Sequence, residues 1–268
     1  MSHIFSTSEP IIACSCDTNY IDHLFVFVKS LRRHCDTPVW VRCINMSYQN
    51  RSSLSQIPNV YCFNDTTNLL TQKTLMCRGI DGGHPRMRSL LSRLHSEHHC
   101  YCAHSKFNNV DYLFRMGYEH VLAMDVDAIV RGDLSQIFEL YKNNDVVISY
   151  DKRTSFNLPL EYPVFKEGVM LVKRTKLTST LFRYMTRKLN SMRKNKDKTY
   201  HIDSDHEQLG YIYTVLKQKY NLEVENLDST YKDTEFRDDT IVWSGKGDRK
   251  DTNETYITTW LSVLASCI

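Results

Sequence analysis

The sequence predicts an α/β fold, with a mostly parallel central sheet flanked by helices. Three observations predict it. Apolar runs of strand length alternate with helix-spaced segments through the first half of the chain, the order that builds parallel strands with crossover helices. The 268 residues are 41% hydrophobic and 24% charged, the composition of a globular chain with a sizeable core. The apolar run from His120 ends in two carboxylates one residue apart, Asp125 and Asp127, as expected where a strand opens onto a ligand crevice.

The elements follow in order. Ile11 to Cys14 reads as a buried strand and Ser15 to Asn19 as a polar loop. Tyr20 to His34 carries Ile21, Leu24, Phe25, Val28 and Leu31 at helical spacing and ends on basic residues. Val39 to Ile44 and Asn59 to Phe63 are further strands. Gly79 to Pro85 reads as a loop, Met87 to Leu94 as helical, and Ser105 to Met116 as a helix closed by Gly117. His120 to Val130 is the most strand-like run. Asp133 with Gln136 three residues on resembles a capping box for a helix from Leu134 to Tyr141.

Asp145 to Ser149 and Gly168 to Val172 are strands. Leu177 to Lys188 is a helix running into a basic loop, Asn190 to Lys198, and Asp205 caps a helix to about Tyr220. Thr240 to Trp243 is a last strand before a glycine-containing loop. Tyr256 to Leu264 reads as a docked terminal helix, with Ile257, Trp260, Leu261 and Leu264 on one face. No repeat or linker composition divides the chain, so one domain over residues 1–268 is expected.

Composition narrows the function. Lys and Arg number 34 against 31 Asp and Glu, a balance that permits a polyanionic partner without demanding one. No run of about 18 apolar residues predicts a membrane span, and Met1 to Pro10 lacks the layout of a secretory signal. Nine cysteines, an odd number without a regular framework, point to reduced thiols and a cytoplasmic location. The pairs Cys14/Cys16 and Cys100/Cys102 would each share one face of a strand. His98, His99, Cys100, Cys102 and His104 are metal-ligand types, but their spacing matches no common zinc arrangement.

The chemistry concentrates at Asp125 and Asp127. Residues i and i+2 share a strand face, so both carboxylates can approach one hard cation; oxygen ligands suit Mg²⁺ or Mn²⁺, whose shell substrate phosphates complete. The alternative is a solvated acidic turn. The run from Asp125 to Phe138, with Gly132, Asp133 and Leu134 after a short strand, resembles the metal-binding segment of glycogenin-like family 8 glycosyltransferases of the GT-A fold. Asp133 itself is assigned to a helix cap.

That resemblance implies a nucleotide-binding half over about residues 10–130 and an acceptor-side half over about 131–268. It places Cys14, Asp17 and Tyr20 at the donor base and ribose, although Tyr20 also reads simply as the start of a helix. Lys106 stands where the family has a basic donor contact, with a surface lysine as the rival reading. Phe165 to Val172 resembles a family strand, with Lys166 in place of its Asn. Asp205 to Leu209 resembles the element facing the transferred sugar: Asp205 would bind sugar hydroxyls. Glu207 would lie near the reacting carbon as nucleophile, dipole stabiliser or bystander. Both also suit a helix start.

Ser244 to Lys250 resembles the family's diphosphate loop, in which Gly247 admits the diphosphate and Arg249 or Lys250 neutralises the leaving group. Ser244 stands in place of the family's third metal ligand, His, so Ser244 or Asp248 substitutes, or the diphosphate alone completes the shell. The implied reaction moves a sugar from a nucleoside diphosphate sugar, UDP-sugar favoured, to an acceptor hydroxyl with retention. The acceptor is a saccharide or glycoconjugate, or a hydroxymethylated base in phage-type DNA. The basic stretch from Arg183 to Lys198 and the sparser Arg78, Arg86, Arg88 and Arg93 would suit DNA. A nucleotidyltransferase is a rival class, but Ser15 to Asn19 has neither Gly nor Lys; a binding module without the metal is another.

Overall fold

The computed structural model describes residues 9–69, 97–153, 162–195, 204–245, 247 and 249–266. Its elements in chain order are β1 (Ile11–Asp17), α1 (Ile21–Arg32), β2 (Val39–Ile44), α2 (Tyr48–Ser55), β3 (Val60–Asp65), α3 (Glu97–Met116), β4 (His120–Met124) and β5 (Ala128–Val130). There follow α4 (Gln136–Leu140), β6 (Val146–Arg153), β7 (Tyr162–Lys173), α5 (Lys176–Lys194), α6 (Ser204–Tyr220), β8 (Val224–Glu225), β9 (Val242–Ser244), α7 (Arg249–Thr252) and α8 (Glu254–Ala265). The expected loop at Gly79 to Pro85, the helix at Met87 to Leu94 and the four arginines among them lie outside the described residues.

A seven-stranded sheet runs in the order β3-β2-β1-β4-β7-β6-β8. Strands β3, β2, β1 and β4 are parallel, and β7 is antiparallel to both of its neighbours. The sheet is therefore mostly parallel, as expected, and the carboxyl ends of β1 to β4 share one edge. Alternation explains why β1 reads as a continuous apolar run: Ile12, Cys14 and Cys16 face one core, Ile11 and Ala13 the other. On the first face α1 inserts Leu24, Phe27, Val28 and Leu31; on the second α3 and α5 insert Phe107, Val110, Leu113, Phe182 and Met185. Burying each such side chain contributes about 1.5–3 kcal/mol, so neither face can be left bare.

Several boundaries move. Strand β1 continues through Ser15 to Asp17, leaving only a tight 3₁₀ turn, Thr18–Tyr20, before α1. The run His120 to Val130 is two strands: β4 stays in the large sheet, whereas β5 leaves it to pair antiparallel with β9. Asp125 and Asp127 thus lie at a turn, and strand alternation is not what brings them together. Helix α3 is already formed at Glu97, so Cys100 and Cys102 lie on a helix, where Cys100 is buried and Cys102 partly so.

The helix expected from Leu134 shrinks to α4, and its N-cap residue, Ser135, makes no side-chain cap bond. Asp133 instead accepts the Ser135 N–H at 2.8 Å in a local turn, which corrects its assignment as a helix cap. Helix α5, opened by a Thr175/Thr178 capping box, runs to Lys194 because Leu189 and Met192 prolong its buried stripe; the basic stretch from Asn190 is helix up to that point. Helix α8 docks through Tyr256, Trp260, Val263 and Leu264, while Leu261 is 52% exposed.

Candidate active site at the carboxyl edge of the sheet

Strand β4 delivers the two aspartates to this edge. The Asp125 N–H donates to Gly168 O on β7 at 2.9 Å, and the chain then turns away from the sheet. Asp125 Oδ1 accepts from Lys106 Nζ at 3.0 Å. Lys106 projects from the second half of the first ten residues of α3, well inside the helix and not at its start. Lys106 therefore reaches this edge from inside the helix, not from the helix opening that the sequence suggested.

Asp127 is the more enclosed carboxylate. Its Oδ2 lies 3.4 Å from Lys250 Nζ, and its buried Oδ1 has no hydrogen-bond partner among the described residues. Burial, and then the neighbouring Asp125, push the Asp127 carboxyl above the usual range, with Lys250 opposing them. For Lys250 burial acts downward, but Asp127 and the Tyr20 hydroxyl outweigh it and hold the ammonium above its usual value. The Asp127 backbone is pinned as well: its carbonyl accepts from Gly245 N at 2.9 Å and from the Tyr256 hydroxyl at 2.8 Å.

The segment after β9 closes over this turn. Buried Ser244 pairs with Ala128, the residue next to Asp127. At Gly245 a Cβ would meet the Tyr256 hydroxyl at 2.8 Å and Asp127 O at 2.9 Å, so no side chain fits. Gly247 has φ of +74° with open space around it; glycine serves there for conformation, not clearance. Helix α7 then presents Arg249 to solvent and returns Lys250 to Asp127. Asp248 lies outside the described residues.

From the turn at the end of β1, Tyr20 joins the same cluster: its hydroxyl accepts from Lys250 at 3.2 Å, and its ring centroid lies 4.9 Å from that ammonium. Asp17 caps the 3₁₀ turn by accepting the N–H groups of Asn19 and Tyr20, and its Oδ2 lies 2.7 Å from His98 Nε2. The Cys14 thiol packs in the core under α1, leaving its carbonyl to accept from Asn109 at 3.0 Å. Asp205 and Glu207 occupy the first turn of α6, and their side chains lie outside the described ones.

Three contributors escape sequence reading. Arg42, Asp65, Asn109 and Tyr101 form a buried network: Arg42 donates to Asp65 at 2.8 Å and to Asn109 at 2.7 Å, and Tyr101 donates to Asp65 at 2.8 Å. Burial would raise the Asp65 carboxyl, but Arg42, Thr67 and Tyr101 hold it below the ordinary range. Lys232, nearly buried, donates to Lys166 O on β7. Tyr256 reaches Asp127 from the terminal helix. Only the carboxyl-edge position of Asp65 carries a sequence signal; Lys232 lies in irregular chain and Tyr256 reads as helix packing.

The donor set fits a hard divalent cation. A half-exposed Asp125 and an Asp127 with a buried oxygen that has no partner among the described residues are oxygen ligands of the kind that Mg²⁺ and Mn²⁺ take.

Comparisons with known proteins bear on the family and the fold. The sequence profile described as "Glycosyl transferase family 8" matches residues 11–242. No curated protein matches. Among solved structures, the glycosyltransferase GlyE of Streptococcus pneumoniae TIGR4 superposes with a TM-score of 0.54 at 16% identity over 97% of this chain. This chain spans 63% of the length of GlyE. The galactosyltransferase LgtC, solved with donor and acceptor sugar analogs, gives 0.58 at 16% identity, covering 96% of this chain and 95% of LgtC. The bifunctional glycosyltransferase WbbM gives 0.55 at 16% identity over 99% of this chain and 51% of its own. At such identity the structures show a shared fold.

Proposed function

The chain belongs to glycosyltransferase family 8, and from that premise we propose that it moves a sugar from a nucleoside diphosphate sugar to an acceptor hydroxyl. Asp125 and Asp127 would hold Mn²⁺ or Mg²⁺. The observation that carries this reading is the Asp127 carboxylate: one oxygen meets Lys250, and the other is buried with no partner among the described residues. A buried carboxylate left half satisfied is costly unless a cation completes it.

When bound, the cation supplies positive charge against a departing diphosphate. The chain's own residues do the rest. Lys250, oriented by Asp127 and Tyr20, neutralises charge that builds on the leaving group, the preorganised electrostatic effect that is usually the largest in such sites. Arg249 lies next to it at the surface. Lys106 orients Asp125. Ser244 or Asp248 adds an oxygen ligand, or the diphosphate alone completes the shell, while Gly247 keeps the loop backbone open to it. Asp17 and Tyr20 border the base and ribose, UDP favoured; Asp205 binds hydroxyls of the transferred sugar and Glu207 lies near its reacting carbon, with retention of configuration.

A saccharide or glycoconjugate is the leading acceptor; LgtC, of the same fold, was solved with an acceptor sugar analog. A hydroxymethylated DNA base is the second reading, favoured by exposed Arg183, Arg187 and Lys194 along α5. The test is release of nucleoside diphosphate from a panel of sugar nucleotides, with and without Mn²⁺, with oligosaccharides or hydroxymethylated DNA added. Stimulation by one acceptor selects it; turnover indifferent to chelator counts against the metal-dependent reading.

A further inference from the structure

Helix α3 and the end of β1 bring together three ligand types that the proposed reaction does not need as a set. His98 and Cys102, four residues apart, share one face of α3. That face meets Asp17, whose carboxylate closes the end of β1. His98 Nε2 lies 2.7 Å from Asp17 Oδ2, and the ligand atoms of Asp17, His98 and Cys102 all lie within 4.8 Å of one another.

We propose that Asp17, His98 and Cys102 form a second metal site, for a borderline transition ion of the Zn²⁺ class. Tetrahedral bonds of about 2.0–2.3 Å require ligand atoms about 3.3–3.6 Å apart, a small adjustment from the present cluster. Imidazole and thiolate select such an ion over Mg²⁺ or Mn²⁺, which sets this site apart from Asp125 and Asp127. Charge also balances: one carboxylate and one thiolate neutralise the dication, and the thiol proton leaves to solvent on binding. Three protein ligands leave a fourth position open. The ion would fasten the described start of α3 to β1 beside Tyr20. The i, i+4 pair of His98 and Cys102 becomes a metal motif only because the segment is helical, which the contiguous spacing of its His and Cys residues does not reveal.

The test is Co²⁺ titration of the full chain, read by sulfur-to-cobalt charge transfer in the near ultraviolet. The site predicts a band saturating at one equivalent and displaced by Zn²⁺. It is lost in Cys102→Ser and in His98→Gln and retained in Asp127→Asn, with circular dichroism confirming that each variant is folded. A chain that binds Co²⁺ without a sulfur band, or whose band survives in folded Cys102→Ser or His98→Gln, overturns the site. A band lost in Asp127→Asn overturns its independence from the carboxylate pair. Should Cys102→Ser not fold, His98→Gln decides alone. Because the readout is optical, a negative result here leaves the sugar-transfer reading intact, and the converse holds.

Discussion

Lys250 Nζ stands 3.4 Å from Asp127 Oδ2, although 123 residues separate the two in sequence. The contact joins the turn between β4 and β5 to helix α7, and Tyr20 from the 3₁₀ turn before α1 completes it. Three segments distant in sequence therefore converge on the Lys250 ammonium at this edge of the sheet.

Replacing that carboxylate is expected to abolish turnover. Loss of one electrostatic group of this kind typically removes about 2.7–4 kcal/mol of barrier stabilisation, a fall of about 10²–10³ in kcat. Asp133→Ala is the contrast, since among the described residues Asp133 Oδ1 accepts only the local Ser135 N–H. It should cost about 1 kcal/mol of stability and leave kcat unchanged. Parallel kcat and thermal-midpoint measurements separate them; equal activity of Asp127→Ala and Asp133→Ala would contradict the assignment.

Two glycines in the covering loop should respond differently. At Gly245 an added methyl meets Asp127 O and the Tyr256 hydroxyl below 3.0 Å. Gly245→Ala must therefore shift the backbone that pins Asp127, costing about 1–3 kcal/mol and most of the activity. Gly247→Ala meets nothing but must adopt φ of +74°, a strain of about 1–2 kcal/mol without the collision that displaces the Asp127 backbone. Denaturant midpoints with kcat for both variants check the ordering, which fails if Gly247→Ala is the more damaging.

The Arg42–Asp65 pair sets an acid dependence. The folded Asp65 carboxyl titrates below its unfolded value of about 3.9, so its stabilisation is complete above that pH and is lost as pH falls through the folded value. Asp65→Asn should cost about 1.5–3 kcal/mol at neutral pH. The gap between wild type and variant should hold down to about pH 5 and close below about pH 4. Urea unfolding across that range measures it; a gap that widens in acid would reverse the assigned sign.

Much of this architecture is legible in the sequence because parallel strands buried on both faces, such as β1 and β2, are written as nearly continuous apolar runs. The pair Asp125 and Asp127 stands out for the same reason, as the polar end of such a run. The break between β4 and β5 is hidden because Val126 and Ala128 to Val130 prolong the apolar pattern through the turn. The start of α3 is hidden because Glu97 to His104 is polar and histidine-rich, with no apolar stripe to set a period. The end of α5 is masked by its lysines and arginines, although Leu189 and Met192 continue the buried face. Lys232 and Tyr256 gain their roles only from tertiary contact, which neither composition nor spacing encodes.

Calorimetric titration of UDP into the protein, with Mn²⁺ or with chelator, for wild type and Asp127→Asn, tests the two-aspartate cation site most directly. The account expects wild type to bind UDP tightly only when Mn²⁺ is present, and Asp127→Asn to bind weakly in both conditions. Equal UDP affinity with and without Mn²⁺ in wild type, or full Mn²⁺-dependent binding by Asp127→Asn, would contradict it.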